Sequence, residues 1–194
     1  MEKFLKREVI YDGKILRLDL DQVECDNGKL AYREIVRHNG GAAILCITTD
    51  NKVLLIKQFR YAYNEVLYEI PAGKLEKSED PFTAAIREFE EETGKRALDM
   101  SYLTTIYPTC GYSSEKIYLY LVTKYEASQQ HLDEDEDVEP LWMDLSSVLE
   151  MIQNGTIKDA KTICAIQTYL IQKNKIQLYN RSTLSLYSYR FMDY

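Results

Sequence analysis

The chain has 194 residues, of which 45% are hydrophobic and 28% charged, which suits one globular domain with an accessory element. Its net charge of −7 argues against a basic surface that covers the protein and binds nucleic acid, but it does not exclude a local basic patch. The N-terminus lacks a signal-peptide core, and the longest apolar run, residues 41–47, is too short to cross a bilayer. The 4 cysteines form no CxxC pair, so we expect reduced thiols in a cytoplasmic protein without membrane association.

The first part of the chain predicts a small antiparallel β element at residues 1–38. Strand-like segments at 9–11, 15–23 and 30–36 are separated by DGK and DNGK, which are typical of hairpin turns. Residues 39–175 then alternate buried strands with amphipathic helices, and we expect an α/β/α sandwich with a mixed sheet. The predicted helices cover 81–93, 145–153 and 160–173.

Residues 176–194 form a tail of unknown role. Within it, residues 183–191, TLSLYSYRF, alternate apolar and polar side chains. This alternation predicts a strand or an extended arm, and a disordered tail is the alternative.

The predicted helix 81–93 carries an unusual set of acids near its C-terminal end. Glu88, Glu91 and Glu92 share one face beside the small Ala84, whereas Glu90 lies off that face, where we expect it to be solvated. Carboxylates are unfavourable at this end of a helix, because it carries partial negative charge. A solvated charged face gives no reason for this placement, but a divalent cation does, since it attracts converging carboxylates.

The segment GKLEKSEDPFTAAIREFEEETG, residues 73–94, resembles the Nudix box, G-x5-E-x7-R-E-U-x-E-E-x-G-U, where U is apolar. The positions that fit are Gly73, Glu79, Arg87, Glu88, Phe89, Glu91, Glu92 and Gly94. Lys95 departs from the pattern, because an apolar residue is usual there. The resemblance implies a loop-helix-loop that holds two or more Mg²⁺ ions, with Mn²⁺ as an alternative, against a diphosphate that is hydrolysed.

The resemblance also implies roles for individual residues. Arg87 would orient the acids, pairing at i,i+4 with Glu91, and both belong to the expected catalytic set. Glu79 would stabilise the loop or add to the metal shell. The expected metal ligands are Glu88, Glu92, the neighbouring Glu91 and the carbonyl oxygen of Ala72.

Further stretches, including REIVRHNGGAA, LLIKQFRYA and YPTCGYSSE, resemble dimeric bacterial ADP-ribose pyrophosphatases over roughly residues 9–170. This implies a homodimer in which the N-terminal element contributes to dimerisation and to the substrate site. Arg60 would bind phosphate and Arg33 would lie near the adenosine end. Gly111 and Glu115 fit the substrate loop, but Cys110 replaces a proline that is usual in these enzymes.

The acidic loop LDEDEDVE, residues 132–139, would supply the base that accepts a proton from the attacking water. The resemblance assigns this role best to Glu134 and next to Glu136. The predicted reaction is Mg²⁺-dependent hydrolysis of ADP-ribose to AMP and ribose 5-phosphate. Hydrolysis of another nucleotide sugar, nucleoside triphosphate sanitation and a non-catalytic ADP-ribose sensor are the alternatives.

Overall fold

The structure is a computed structural model that describes residues 1–132 and 136–188, with side chains as far as residue 174. The strands are β1 Lys3–Asp12, β2 Leu16–Glu24, β3 Leu30–His38, β4 Gly41–Ile47, β5 Lys52–Arg60, β6 Glu65–Glu69, β7 Ala72–Lys74, β8 Lys95–Ala97, β9 Ser101–Ile106, β10 Ile117–Val122, β11 Tyr125–Ala127 and β12 Val138–Asp144. The helices are α1 Pro81–Thr93, α2 Leu145–Gln153 and α3 Ala160–Ser188.

The N-terminal strands form a separate antiparallel sheet in the order β1-β2-β3. Gly28 lies in the turn between β2 and β3 with a φ of 74°, a conformation that glycine adopts without strain. The residues of β1 are all exposed, whereas β2 buries Asp19, Asp21 and Val23 on one face. This small sheet therefore buries charge as well as apolar surface.

The central sheet is mixed and has seven strands. Its main path runs β12-β5-β4-β10-β9, with β6 paired to β5 and β7 paired to β4. The β4 and β10 pair is parallel, and the other pairs are antiparallel. A short ribbon of β8 and β11 lies outside this sheet.

Strand β4 is buried along its whole length because helices cover both faces of the sheet. Ala42, Ile44 and Cys46 pack in the cluster that includes α1 residues, and the intervening residues of β4 pack in the cluster that includes α2 and α3 residues. Successive strand residues point to opposite faces, so one strand serves both cores. The predicted α/β/α sandwich with a mixed sheet is confirmed.

Helix α1 begins and ends where local chemistry predicts. The side chain of Asp80 accepts a hydrogen bond of 3.0 Å from the Thr83 N–H, and Pro81 occupies the first turn. Gly94 closes the helix in the left-handed region, with its N–H donating to the Glu90 carbonyl at 2.9 Å. These two ends fix which acids share a face of α1.

The prediction of a strand at 183–191 is wrong for residues 183–188, because these residues belong to helix α3. The sequence of α3 from Ala160 to Ser188 contains neither glycine nor proline, so no breaker interrupts the helix. The last residues of the predicted strand, 189–191, lie outside the described part of the chain.

Candidate active site

The Nudix-like segment brings β7 and α1 into very close contact. An added Cβ atom on Gly73 would lie 1.8 Å from the carboxyl carbon of Glu88. Any larger residue at position 73 would therefore displace the Glu88 side chain from its place. The glycine is required by this close approach, since the Glu88 carboxylate lies directly against the backbone of β7.

Arg87 connects the loop before α1 to the acids on the helix. Its Nε and Nη2 atoms donate to the Glu79 carboxylate at 3.1 and 3.2 Å. Its Nη1 atom lies 2.9 Å from Glu91 and 2.8 Å from Glu88, so the predicted i,i+4 pairing with Glu91 is confirmed. Partial burial alone would lower the pKa of Arg87, but these three carboxylates raise it.

Glu79 also stabilises the loop itself. Its Oε2 atom accepts a hydrogen bond of 2.9 Å from the Glu76 N–H. One carboxylate thus bridges the loop backbone and Arg87, and Arg87 in turn holds Glu88 and Glu91. The arrangement fixes several charged side chains around one guanidinium group.

Glu92 is almost fully buried, with 2% of its surface exposed. Burial raises its pKa to about 8, although a hydrogen bond from the Ala72 N–H opposes the shift, and the charges of Glu88 and Glu136 add to it. Burial likewise raises the pKa of Glu88 to about 7 against the influence of Arg87. Both carboxylates are therefore costly to ionise, even with Arg87 beside Glu88, and a further cation would offset that cost.

The donor set fits a hard divalent cation. Glu92 is buried and Glu88 is mostly buried, and both carboxylates lie next to the backbone of Ala72 and Gly73. Oxygen ligands are those that Mg²⁺ and Mn²⁺ prefer. Within the described residues, no three acidic, histidine or cysteine side chains already form a metal cluster. The Glu88 and Glu91 carboxylates both contact Arg87 Nη1, so the cation that these two acids share in this structure is the guanidinium group.

Arg60 lies in a second polar network beside the same acids. Its Nε and Nη2 atoms donate to the two oxygens of Glu69, each at 2.7 Å. Glu69 is buried and also pairs with Lys161, which in turn lies 3.0 Å from Asp159. The pKa of Arg60 is raised, first by Glu69 and further by the charge of Glu92, so the arginine is near the acids of α1.

The sequence reasoning missed Glu69 and Lys161 as members of this network. Burial would raise the pKa of Glu69, but hydrogen bonding to Arg60 and the charge of Lys161 hold it below its ordinary value. The available signal was an acid in the otherwise apolar end of a strand, LYEIP. A buried acid in such a strand requires a cationic partner.

The other predicted substrate residues lie on the N-terminal sheet or in a loop that packs against it. Arg33 on β3 pairs with Glu2. The loop that contains Gly111 and Glu115 docks on the same strand, because the Val36 N–H donates to the Tyr112 carbonyl at 2.8 Å and the Ser114 N–H donates to the Val36 carbonyl at 2.9 Å. Glu115 Oε1 also lies 3.6 Å from His38 Nδ1. A Cβ atom on Gly111 would meet open space, so this loop is accessible.

The predicted substrate residues and acids thus form two groups. Arg87, Ala72, Glu88, Glu91 and Glu92 lie around α1, with Arg60 nearby in the network of Glu69, whereas Arg33, Gly111 and Glu115 are grouped around β3. Within the described part of the chain, no hydrogen bond or ion pair joins the two groups.

Of the two candidate bases, only Glu136 lies in the described part of the chain. Glu134 lies outside the described residues. Glu136 is described, and its charge contributes to the raised pKa of both Glu88 and Glu92. The acidic loop therefore brings negative charge toward the buried acids at residue 136.

Glu90 and Lys95 have partners that the sequence does not indicate. Glu90 is partly exposed, and it also accepts a hydrogen bond from the Ser128 hydroxyl and lies 3.1 Å from Arg96. Lys95 stands where an apolar residue is usual, but its Nζ atom lies 6.0 Å from the Trp142 ring centroid and its side chain is partly buried. Its aliphatic stem gives part of the packing that an apolar residue would supply.

Comparison with known proteins agrees with this geometry. The NUDIX domain profile matches residues 37–166, so the chain belongs to the NUDIX family. The chain is 40% identical over 178 residues to the ADP-ribose pyrophosphatase of Bacillus subtilis (strain 168), covering 91% of this chain and 96% of that protein. It is also 40% identical over 174 residues to the methanol dehydrogenase activator of Bacillus methanolicus, covering 89% and 94%.

A solved structure of an ADP compounds hydrolase has the same fold. It superposes with a TM-score of 0.78 at 19% identity, covering 91% of this chain and 95% of that one. None of the helices in the described part of the chain combines the length and apolar character that a membrane span requires.

Proposed function

We propose that this protein is a Mg²⁺-dependent Nudix pyrophosphatase that hydrolyses ADP-ribose to AMP and ribose 5-phosphate. The observation that carries the proposal is the pair of buried carboxylates, Glu88 and Glu92, held against Ala72 and Gly73 on the helix of the Nudix box. The 40% identity to an ADP-ribose pyrophosphatase over nearly the whole chain supports the substrate. Mn²⁺ is the alternative cofactor.

Glu88, Glu92 and the carbonyl oxygen of Ala72 are the proposed metal ligands, with Glu91 beside them. When bound there, divalent cations neutralise the charge of the diphosphate and lower the pKa of a water molecule. The raised pKa values of Glu88 and Glu92 support this assignment, because a cation offsets the cost of ionising both buried groups.

The other candidate site residues would bind the substrate, position the metal ligands or accept the proton. Glu69 occupies Nε and Nη2 of Arg60, so the Nη1 edge is the part of this guanidinium that we propose binds a substrate phosphate. Arg87 is a positioning residue that keeps Glu88 and Glu91 on the metal side of the helix. Glu134 is the proposed acceptor of the proton from the attacking water, with Glu136 as the second candidate.

We also propose a homodimer that completes the substrate site. Residues 1–38 would serve dimerisation and substrate binding, residues 39–175 would form the hydrolase domain, and residues 176–194 are assigned no role. The grouping of Arg33, Gly111 and Glu115 around β3 supports this, since one chain does not join them to the acids of α1 by any described polar contact. Exposed Phe4, along with the rest of β1, supplies unpartnered surface for a second copy.

Cys110 favours a second candidate substrate, another nucleotide sugar. It is exposed in the loop that carries Gly111 and Glu115, at the position where the resembling enzymes have proline. A different side chain in a substrate loop changes which sugar or base fits. We further propose a cytoplasmic location, which rests on four free cysteines with no disulfide among them.

The test is a panel of ADP-ribose, GDP-mannose, a UDP-sugar and nucleoside triphosphates, each with Mg²⁺, with products separated by chromatography. AMP and ribose 5-phosphate from ADP-ribose, at the highest kcat/KM of the panel, are expected. Preferred hydrolysis of a GDP- or UDP-sugar would select the second candidate. Preferred hydrolysis of triphosphates would contradict both.

A further inference from the structure

A cavity of about 510 Å³ lies where the N-terminal sheet meets the loop before α1. The turn between β1 and β2, the end of β3 and the loop after β7 form its walls. Its charged and titratable lining residues are Asp12, Lys14, Arg17, Arg37, His38 and Lys77. The acids Glu88, Glu91 and Glu92 do not line it, so the cavity is separate from the candidate metal site.

Two guanidinium groups in this cavity are held in fixed positions from behind. Arg37 donates from Nε to Asp19 at 3.0 Å and from Nη2 to Asp21 at 2.9 Å. Arg17 donates from Nη2 to Asp19 at 3.1 Å, and its Nε lies 2.9 Å from the same carboxylate. Among the described hydrogen bonds, Arg37 donates through Nε and Nη2 and Arg17 donates through Nη2, so in both arginines Nη1 is left for a ligand.

The acids that hold these arginines are buried. Asp19 has no exposed surface and Asp21 has 6%. Burial would raise the pKa of Asp19, but hydrogen bonds from Arg37 and Arg17 hold it below its ordinary value. Because a buried ionised carboxylate keeps its cationic partners, the two guanidinium groups are ordered before any ligand arrives, which reduces the entropic cost of binding.

The lining of the cavity carries more cationic than acidic side chains in a chain whose net charge is negative, with Asp19 and Asp21 pairing with the two arginines from behind. Lys14 and Lys77 are both exposed, Lys14 in the β1–β2 turn and Lys77 in the loop before α1. With Arg17 and Arg37 they bring four cationic side chains to the lining, against one lining carboxylate, Asp12. The chain as a whole carries −7, so composition does not account for this concentration of positive charge.

We propose that this cavity binds a phosphate-bearing anion. Guanidinium edges fit the oxygens of phosphate in a planar, directional way, and the two lysines add mobile ammonium groups that close on a multiply charged ligand. The volume accommodates inorganic phosphate or a small phosphate monoester. Lys77 is two residues from Glu79, which pairs with Arg87, so an occupied cavity joins the N-terminal sheet to the loop of the Nudix box.

The experiment is a calorimetric titration of the full chain in EDTA with inorganic phosphate, AMP and ribose 5-phosphate in separate arms. EDTA removes divalent cations, so the readout does not depend on hydrolysis or on the proposed substrate. The double variant Lys14→Gln/Lys77→Gln removes two exposed charges from the cavity and leaves the Asp19 network intact. The matched control Lys29→Gln/Lys52→Gln removes two exposed charges elsewhere.

Wild type is expected to bind at least one of the three probes, and the cavity variant is expected to bind that probe at least tenfold more weakly, with the control unchanged. The probe that binds best identifies whether the ligand is free phosphate, a nucleotide or a sugar phosphate. Equal weakening in both double variants would overturn the proposal, because the effect would be general charge. Absence of binding in wild type, or weakening in Arg60→Lys but not in the cavity variant, would also overturn it.

Discussion

The Glu92 carboxylate accepts a hydrogen bond of 2.8 Å from the backbone N–H of Ala72, joining the last turn of α1 to the start of β7. This contact fixes a buried acid beside the backbone whose carbonyl is a proposed metal ligand. The hydrogen bond also explains why Glu92 lies at the C-terminal end of α1, where a carboxylate is otherwise unfavourable. Position relative to β7, and not helix stability, determines where Glu92 lies.

Glu92→Gln should lower kcat for ADP-ribose at least about a hundredfold, which corresponds to about 2.7 kcal/mol. Glutamine keeps an oxygen that accepts from Ala72 but loses the charge that a cation needs. The matched control is Glu90→Gln on the same helix, since Glu90 contacts Ser128 and Arg96 instead of β7. Steady-state rates with Mg²⁺ decide this, and a Glu92→Gln rate near that of wild type would refute the metal assignment.

The metal-free protein should lose stability as pH rises from about 4.5 to about 8. The pKa of Glu92 is raised from 4.5 to about 8, so the unfolded state releases this proton first and folding becomes less favourable over that interval. Glu92→Gln should therefore be more stable than wild type above pH 8, on the order of a few kcal/mol, and equal to it below pH 4.5. Urea denaturation in EDTA at pH 4, 6 and 8.5 measures this.

Two results would count against that account of Glu92. The first is a stability difference between the two proteins that does not change with pH. The second is an equal rise in Tm for wild type and Glu92→Gln on addition of Mg²⁺, because only the wild-type carboxylate should contribute to binding the cation.

Glu134→Gln should lower kcat strongly with little change in Mg²⁺ affinity, because a base is not a metal ligand. Glu136→Gln should lower kcat much less. Its charge nevertheless acts on Glu88 and Glu92, so this variant should lower their pKa values and shift the acidic limb of the pH–rate profile downward. Pre-steady-state rates at several pH values separate the two, and a larger loss in Glu136→Gln moves the assignment to that residue.

The protein should be a dimer at micromolar concentration, with a mass near twice 22.7 kDa. The strand β1 is exposed, and under the proposed function Arg33, Gly111 and Glu115 would meet the Nudix-box acids of a second chain. Light scattering tests this directly. A mass near 22.7 kDa would mean that one chain forms the whole site.

Local chemistry in the sequence predicts helix α1 well. Asp80 and Pro81 begin it and Gly94 ends it, so the face with Glu88, Glu91 and Glu92 follows from helical spacing. The sequence predicts the tail less well, because apolar and polar residues that alternate over a short segment do not exclude a helix. No glycine or proline interrupts the helix in this segment. Extending an existing helix is easier than starting new structure, so a short alternating pattern does not end the helix.

Contacts between side chains that are far apart in the sequence cannot be predicted from residue spacing. Glu69 and Lys161 are 92 residues apart and meet through the packing of α3 on the sheet. Glu90 and Ser128 are 38 residues apart, and their hydrogen bond gives a partly exposed acid a tertiary partner. Residue spacing indicates neighbours on one helix, whereas these contacts depend on the tertiary fold.

The most direct test of the central claim is hydrolysis of ADP-ribose by the wild-type protein with Mg²⁺, with products identified by mass spectrometry, beside Glu92→Gln and Glu90→Gln. The account predicts AMP and ribose 5-phosphate from wild type and Glu90→Gln, loss of turnover in EDTA, and a rate at least about a hundredfold lower in Glu92→Gln. Hydrolysis that persists in EDTA, or equal rates in all three proteins, would contradict it.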